Sequence, residues 1–110
     1  MKVAGDRASL KVTFTDGYSY DLPAEYLRVM SPSAEVQGHS AEQRVTVPGK
    51  RAVKIKELKP VGKYAAKIVF DDGHDTGLYP WSYLLELGKE QSARWQGYLE
   101  ELAAKGLSRG

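Results

Sequence analysis

Short runs in which apolar and polar residues alternate, separated by turns that contain glycine, constrain the fold of this chain most strongly. Leu10, Val12 and Phe14 alternate with polar residues ahead of Asp16-Gly17. Such alternation is typical of a strand with one buried face. An Asp-Gly pair is a strong hairpin signal, because glycine adopts the positive φ that tight turns require. The sequence therefore predicts an antiparallel hairpin whose second strand ends at Pro23.

The middle of the chain shows the same alternation. Val53 and Ile55 alternate with lysines, and a turn is predicted at Pro60-Val61-Gly62. A return strand then follows, and Asp71–His74 is predicted to form a further turn that leads into a short strand from Asp75 to Tyr79. The inward face of the return strand is predicted to consist of Tyr64, Ala66, Ile68 and Phe70.

Helices are predicted in two places. Ala24 to Met30 is compatible with a short helix, followed by a loop over residues 31–43 and a brief strand over residues 44–47. At the C-terminal end, one helix is predicted to begin near Pro80 and a second to run from about residue 90 to 105. Gly106 is predicted to end the second helix as a Schellman cap, with Leu107 packed near Leu102.

These patterns predict an α+β fold in which a small antiparallel sheet built of hairpins carries the C-terminal helices. The length of 110 residues is enough for one domain and too short for two, so residues 1–110 are predicted to form a single domain. The predicted core consists of the positions where periodicity and apolar character agree: Val12, Phe14, Ile55, Ile68, Phe70, Trp81, Leu84, Trp95, Leu99 and Leu102.

The composition excludes several classes of protein. Cysteine is absent, which excludes disulfide scaffolds, thiolate metal sites and cysteine nucleophiles. No apolar run reaches the roughly 20 residues that span a bilayer, and the N-terminus lacks the apolar segment of a signal peptide. No motif of a serine nucleophile, a phosphate-binding glycine loop or paired catalytic carboxylates is present. We therefore expect a cytoplasmic protein that is not an enzyme and has no membrane partner.

The residues that could bind a metal are His39, His74 and the carboxylates of Asp71–Asp75. No His-x-Asp pair is present, and a calcium loop would spread its ligands over about twelve residues and end in a glutamate. Aspartate and glycine are also the residues that turns select for backbone reasons. Both interpretations stay open: a hydrogen-bonded turn, or a metal-binding site.

A basic segment runs from Arg44 to Lys67. It contains eight lysine or arginine residues and one acid, Glu57, which gives a local charge of +7. This face is either a solvated surface that discourages aggregation or a binding site for an anionic partner. Because Tyr64 is predicted to point inward, base stacking is not supported, and nucleic acid is an unfavoured partner. The lysines predicted to point away from the core are Lys54, Lys56, Lys63 and Lys67.

Three further stretches carry a combined pattern: Tyr26 to Val36 with Gly38-His39, Pro60 to Gly77, and Tyr79 to Leu84. Together they resemble the gamma-butyrobetaine hydroxylase-like N-terminal domain family, specifically its small stand-alone bacterial members of unknown function. In that family the domain precedes the catalytic barrel of 2-oxoglutarate-dependent hydroxylases, and related domains are attached to some iron–sulfur carrier ATPases. The resemblance implies that the catalytic iron and 2-oxoglutarate belong to the barrel, and therefore that this chain hydroxylates nothing.

The resemblance also concerns zinc. The hydroxylases hold a structural zinc through a Cys-x-Cys-x-x-Cys group and a distant histidine, and these positions fall on Ser31, Ser33, Val36 and His74. Only the histidine is retained, and serine hydroxyls are poor zinc ligands at neutral pH. The resemblance thus implies that the zinc site is lost and that no cofactor is expected.

If the family geometry is kept, the loop from Ser31 to His39 and the turn from Asp72 to His74 meet in space. The expected polar patch consists of Arg28, Ser31, Ser33, His39, Asp72 and His74, with Trp81 close behind. Such a patch either closes the loop by hydrogen bonds or docks a partner protein.

Three functional hypotheses follow. The first is a non-catalytic accessory module with an unidentified protein partner, associated with a 2-oxoglutarate oxygenase or an iron–sulfur assembly protein. The second is a metal-binding or metal-delivery protein that uses His74, His39 and the Asp71–Asp75 loop. The third, weaker hypothesis is nucleic-acid binding through the Arg44–Lys67 face.

Overall fold

The computed structural model describes residues 2–15, 17–37 and 45–110. The predicted α+β fold of antiparallel hairpins and C-terminal helices is confirmed, and the hairpins form two three-stranded sheets, ordered β1-β2-β3 and β4-β5-β6. The elements in chain order are β1 (Lys2–Val3), β2 (Ser9–Thr13), β3 (Ser19–Pro23), α1 (Ala24–Val29), α2 (Ala34–Gln37), β4 (Ile55–Val61), β5 (Ala65–Phe70), β6 (Gly77–Pro80), α3 (Trp81–Lys89) and α4 (Gln91–Ala104).

The first predicted hairpin is present as β2 and β3. Leu10 lies opposite Leu22 in the antiparallel register, and both side chains are fully buried. Val12 is almost fully buried. Gly17 has a φ of 92°, the left-handed value that a tight turn demands, while Asp16 lies outside the described residues. Alternation in the sequence therefore identified the buried face of this sheet correctly.

The turn predicted at residues 60–62 is wrong, because β4 continues through Pro60 to Val61. Proline is tolerated there since β4 is an edge strand, where a missing N–H need not break the ladder. The turn begins instead at Gly62, whose φ is 59°. This shift moves Tyr64 into the turn, where it is 80% exposed, so its predicted inward orientation is also wrong. The other three inward positions of the return strand, Ala66, Ile68 and Phe70, are buried as predicted.

Arg7 connects the two sheets at a β-bulge in β4. The register of β4 shifts between Ile55 and Glu57. The Nη1 atom of Arg7 donates to the carbonyl oxygens of Ile55, at 3.1 Å, and Lys56, at 2.9 Å. The backbone N–H of Ile55 in turn donates to the carbonyl of Arg7, at 2.8 Å. These bonds satisfy backbone groups that the bulge removes from the strand ladder.

Helix α1 lies in the interior, and tyrosine hydroxyls bind carbonyl groups at its C-terminal end. The hydroxyl of Tyr79 donates to the carbonyl of Leu27, and the hydroxyl of Tyr83 donates to that of Met30. Tyr26, on α1 itself, donates to the carbonyl of Leu87 in α3 at 2.8 Å. The last carbonyls of a helix have no partner within the helix, so these bonds remove the cost of burying them.

The buried carboxylate of Glu25 on α1 is paired with Arg109. The guanidinium donates through Nε and Nη2 to the two carboxylate oxygens, at 2.8 and 2.7 Å. It also lies over the ring of Trp95, with 5.2 Å from Cζ to the ring centroid. A bidentate pair of this kind offsets much of the penalty for burying the charge.

Two predictions between the sheets are wrong in detail. The predicted loop after α1 contains the single helical turn α2, which is too short to produce a visible period in the sequence. The strand predicted from residue 44 is absent among the described residues 45–47. The N–H of Val45 donates to the carbonyl of Val36, and the carbonyl of Val47 accepts from the Tyr98 hydroxyl. These residues are therefore bonded to helices and not to a neighbouring strand.

The C-terminal cap is confirmed. Gly106 has a φ of 66°, and the N–H of Leu107 donates to the carbonyl of Leu102 at 2.8 Å, as in a Schellman motif. Of the predicted core, six residues are buried: Val12, Ile55, Ile68, Phe70, Leu84 and Leu102. Four are only partly buried and pack against the core from its edge: Phe14, Trp81, Trp95 and Leu99.

The hydroxyl contact between Tyr79 and α1 should be measurable in stability. Tyr79→Phe leaves the buried carbonyl of Leu27 without this donor, so we expect the free energy of unfolding to fall by about 1–3 kcal/mol in urea denaturation. The matched control is Tyr64→Phe, which removes an exposed hydroxyl and should change stability by less than about 0.5 kcal/mol. Equal effects at both positions would show that the buried hydroxyl does not support the helix.

Candidate functional site

The loop after α1 and the turn between β5 and β6 meet at Ser31 and His74. The Ser31 Oγ atom lies 2.9 Å from His74 Nε2, and both residues are buried. Gly73, with a φ of 90°, shapes the turn that presents the imidazole. The contact expected between loop and turn is therefore present in the structure.

A glycine permits this close approach. A Cβ atom at Gly77 would lie 2.8 Å from Ser31 Oγ and 2.9 Å from Tyr79 Cε1, closer than real Cβ contacts come. Ser31 Oγ also accepts the backbone N–H of Ser33 at 3.2 Å, and the hydroxyls of Ser33 and Thr76 lie 2.8 Å apart. Loop and turn are thus joined by a short series of buried or half-buried hydrogen bonds.

An ion-pair group borders these hydrogen bonds. Asp72 Oδ2 accepts from Arg28 Nε at 2.8 Å and lies 2.7 Å from Lys50 Nζ. Asp72 Oδ1 accepts the backbone N–H of His74 at 3.0 Å. Burial by itself would raise the pKa of Asp72, but the hydrogen bonds from Lys50, His74 and Arg28 together lower it to about 2.

The structure therefore brings together five of the seven predicted patch residues, Arg28, Ser31, Ser33, Asp72 and His74; we call these five with Lys50 and Thr76 the polar cluster. His39 lies outside the described residues. Lys50 and Thr76 are members that were not predicted. Lys50 approaches Asp72 from a distant part of the chain, so no local spacing could have indicated the contact.

Trp81 has its contacts elsewhere. Its indole Nε1–H donates to the carbonyl of Lys63 at 2.8 Å, and its backbone N–H donates to the carbonyl of Tyr64 at 2.9 Å. Its ring forms one wall of a groove of about 310 Å³, whose other lining residues are Val12, Thr13, Phe14 and Thr15. Trp81 thus borders β2 and the β4–β5 turn.

The predicted basic residues all lie off the core, but they do not form one strand-to-strand face. Lys54 precedes β4, Lys56 lies at the bulge and Lys63 lies in the turn. Lys67 of β5 is paired directly with Lys59 of β4, which the sequence analysis had not included. The bulge and the later turn explain why the lysines are placed differently from the prediction, since both change which residues of β4 point to a given face of the sheet.

The residues at the family's zinc positions do not fit a zinc ion. Ser31 Oγ and His74 Nε2 bind each other directly, and Val36 is a buried aliphatic residue with no ligand atom. Two hydroxyls and one imidazole are a poor donor set for zinc, which prefers thiolate and imidazole ligands. Among residues 2–15, 17–37 and 45–110, no group of three or more His, Cys, Asp or Glu side chains could hold a metal ion.

The lowered pKa of Asp72 predicts how stability depends on pH. A carboxylate whose pKa is lower in the folded state stabilises the fold above its ordinary pKa of 3.8, and this contribution is lost as the pH falls through about 2. We expect Asp72→Asn to destabilise by the order of 1 kcal/mol at neutral pH, allowing for solvent screening. The difference in the free energy of unfolding between Asp72→Asn and wild type should shrink as the pH falls from about 3.8 to about 2, as measured by denaturation curves.

The control for this measurement is Asp75→Asn, which removes an exposed carboxylate from the same turn. Its free energy of unfolding should follow that of wild type. A constant difference between Asp72→Asn and wild type over the whole acid range would contradict the ion-pair assignment.

Comparison with known proteins identifies the family. The family model described as gamma-butyrobetaine hydroxylase-like, N-terminal, matches residues 1–85. No curated protein matches the chain. Within the described part of the chain, no helix is long and apolar enough to cross a membrane.

Solved structures support the same assignment. One NMR solution structure is 47% identical to this chain with a TM-score of 0.84, and the match covers 98% of this chain and 85% of that one. A second NMR solution structure is 46% identical with a TM-score of 0.83, and the match covers 98% of this chain and 80% of that one. A 1.93 Å crystal structure from Acidithiobacillus ferrooxidans ATCC 23270 is 34% identical with a TM-score of 0.65, over 79% of this chain and 86% of that one. It is described as a protein of unknown function of the DUF971 family. The chain belongs to the gamma-butyrobetaine hydroxylase-like N-terminal domain family.

Proposed function

We propose that this protein is a non-catalytic interaction module that works beside a 2-oxoglutarate oxygenase or an iron–sulfur assembly protein. Domains of its family are attached to enzymes of both classes, and a stand-alone domain would make the same association as a separate chain. Membership in the family supports the proposed association with these proteins. The arrangement of polar and apolar side chains supports the proposal that the module is non-catalytic.

The observation that carries the proposal is that the polar cluster is turned inward on itself. Ser31 is fully buried, and its hydroxyl is engaged by His74 and by the N–H of Ser33. Asp72 is held by two cations and a backbone N–H. A nucleophile or general base must reach its substrate, and these groups instead close a loop against a turn. Their arrangement fits a structural role.

Apolar side chains, by contrast, are exposed on the second sheet and its turn. Val61 is 42% exposed, Leu78 is 48% exposed and Tyr64 is more exposed still. Exposed apolar groups that lie together on a small protein are typical of surfaces that contact other proteins. This distribution favours an interaction module over an enzyme.

The metal-delivery alternative receives less support from the described residues. His74 Nε2 is bonded to Ser31, and Asp71 Oδ1 accepts the backbone N–H of Lys54 at 3.0 Å. Asp72 would have to release Arg28 and Lys50 before it could bind a cation. Each of these groups therefore has a competing interaction that a metal would have to replace.

The proposed association can be tested by affinity capture from the native host with the full chain as bait. We expect an oxygenase or an iron–sulfur assembly protein to be enriched in quantitative mass spectrometry, and the purified chain with iron(II) to consume no 2-oxoglutarate. Capture of neither protein class, or turnover of 2-oxoglutarate by the chain alone, would refute the proposal.

The absence of a structural zinc requirement is tested by a chelator. If hydrogen bonds close the polar cluster, EDTA should leave the melting temperature unchanged, because metal binding contributes nothing to folding. The control is a family member with the full cysteine group, which should lose stability under the same conditions. One zinc per chain by elemental analysis, lost together with stability, would overturn this prediction.

A further inference from the structure

We propose that the outward face of the second sheet binds a segment of a partner protein in which acidic and apolar residues are mixed. This outer sheet face consists of Val61, Ala65, Pro80, Lys59, Lys67 and Leu78. The inference rests on the proposed interaction function and names the surface and the chemistry of the partner segment.

The register of the sheet places these six side chains in two adjacent rows. Val61 pairs with Ala65, and Ala65 pairs with Pro80, which forms the first row across all three strands. Lys59, Lys67 and Leu78 form the second row in the same way. The alternate positions on β5 and β6 are buried: Ala66, Ile68 and Tyr79 are each fully inaccessible. On the edge strand β4, the alternate position Leu58 is half-buried and Pro60 is exposed. Because successive strand residues point to opposite faces, the two rows point outward.

The first row ends next to Trp81, which lines the groove described above. Trp81 follows Pro80 in the chain, and its backbone and indole N–H groups bind the carbonyls of the β4–β5 turn, where Tyr64 lies. Phe14 lines the other side of the groove. The first row therefore ends at the residue that precedes Trp81, and the groove lined by Trp81 and Phe14 can accept a bulky side chain from a bound segment.

The second row supplies positive charge that the fold uses only in part, through the ion pair between Lys59 and Glu57. Lys59 and Lys67 lie directly opposite each other, and like charges in such pairs destabilise a sheet. Glu57 lies 3.2 Å from Lys59, whereas Lys67 has no ion pair with any described residue. Lys63 adds a further exposed cation at the turn. This excess of positive charge beside apolar groups is complementary to a segment that mixes acidic and apolar residues.

Nucleic acid is less well matched to this surface. Val61, Ala65, Pro80 and Leu78 offer no hydrogen bonds to bases or phosphates and no flat ring for stacking. A single exposed aromatic ring, Tyr64, lies beside them, and Trp81 is half-buried. A protein segment can use both the apolar row and the lysine row, whereas a nucleic acid would use mainly the lysines.

The inference can be tested with a random-peptide display library panned on the full chain. We expect selected peptides to be enriched in aspartate or glutamate interspersed with leucine, phenylalanine or tryptophan. Binding of a synthetic selected peptide should weaken about fivefold or more between 50 and 500 mM salt, because exposed charges are screened. Amide chemical shifts should change at Ala65, Lys67, Leu78 and Trp81 when the peptide is added.

Variants locate the binding surface. Leu78→Asp should weaken the selected peptide at least about tenfold and Lys67→Glu about fivefold, because one places a charge in the apolar contact and the other reverses the complementary charge. The matched control is Val45→Asp, which replaces a side chain of equal exposure, 49% against 48%, on a segment bonded to α2. It should change affinity less than about twofold. Amide spectra establish that each variant remains folded.

Each contrary outcome refutes the inference. It fails if the library yields no binding peptides, if those selected are not acidic, or if Leu78→Asp and Val45→Asp affect binding equally. It also fails if an oligo-dT probe binds this face more tightly than every selected peptide, which would identify a nucleic-acid surface. Host capture that still recovers an oxygenase or assembly protein with Leu78→Asp would preserve the proposed function and refute this surface alone.

Discussion

The carbonyl groups at the buried C-terminal end of α1 require hydrogen-bond donors, and much of the structure is arranged around that requirement. A helix of six residues has little stability of its own, so its burial depends on tertiary contacts. Tyr79 on β6 and Tyr83 on α3 supply donors from two different elements. Tyr26 returns a bond from α1 to the end of α3. Burial raises the pKa of Tyr26 and Tyr79, which keeps both hydroxyls protonated as donors.

The polar cluster continues this arrangement one residue beyond the helix. Ser31 binds His74, so the segment that follows α1 is fixed to the turn between β5 and β6. The same contacts orient the second sheet with its Ile68 and Tyr79 face toward α1 and its Lys67 and Leu78 face outward. Interior hydrogen bonding and the exposed surface are therefore two consequences of one packing arrangement.

Local sequence patterns predicted some of these features and missed others for physical reasons. Alternation at Leu10 and Val12 identified a buried face, because period-two burial leaves a direct mark on the sequence. Tyr64 was wrongly predicted to point inward. An edge strand can accommodate Pro60, so the turn begins later than predicted, and no local pattern in the sequence indicates this delay. Proximity of Ser31 and His74 followed from family resemblance, whereas the Lys50–Asp72 contact joins distant segments without a local signal.

The central claim is that hydrogen bonds, without a metal, hold α1 against the second sheet as part of the global fold. Native-state hydrogen exchange in the presence of EDTA tests it most directly. The amide of Met30, bonded to the carbonyl of Tyr26, should exchange with the same free energy as that of Ile68 in β5, because both are released only by global unfolding. Exchange of Met30 through a low-energy local opening, or protection that appears only when zinc is added, would contradict the account.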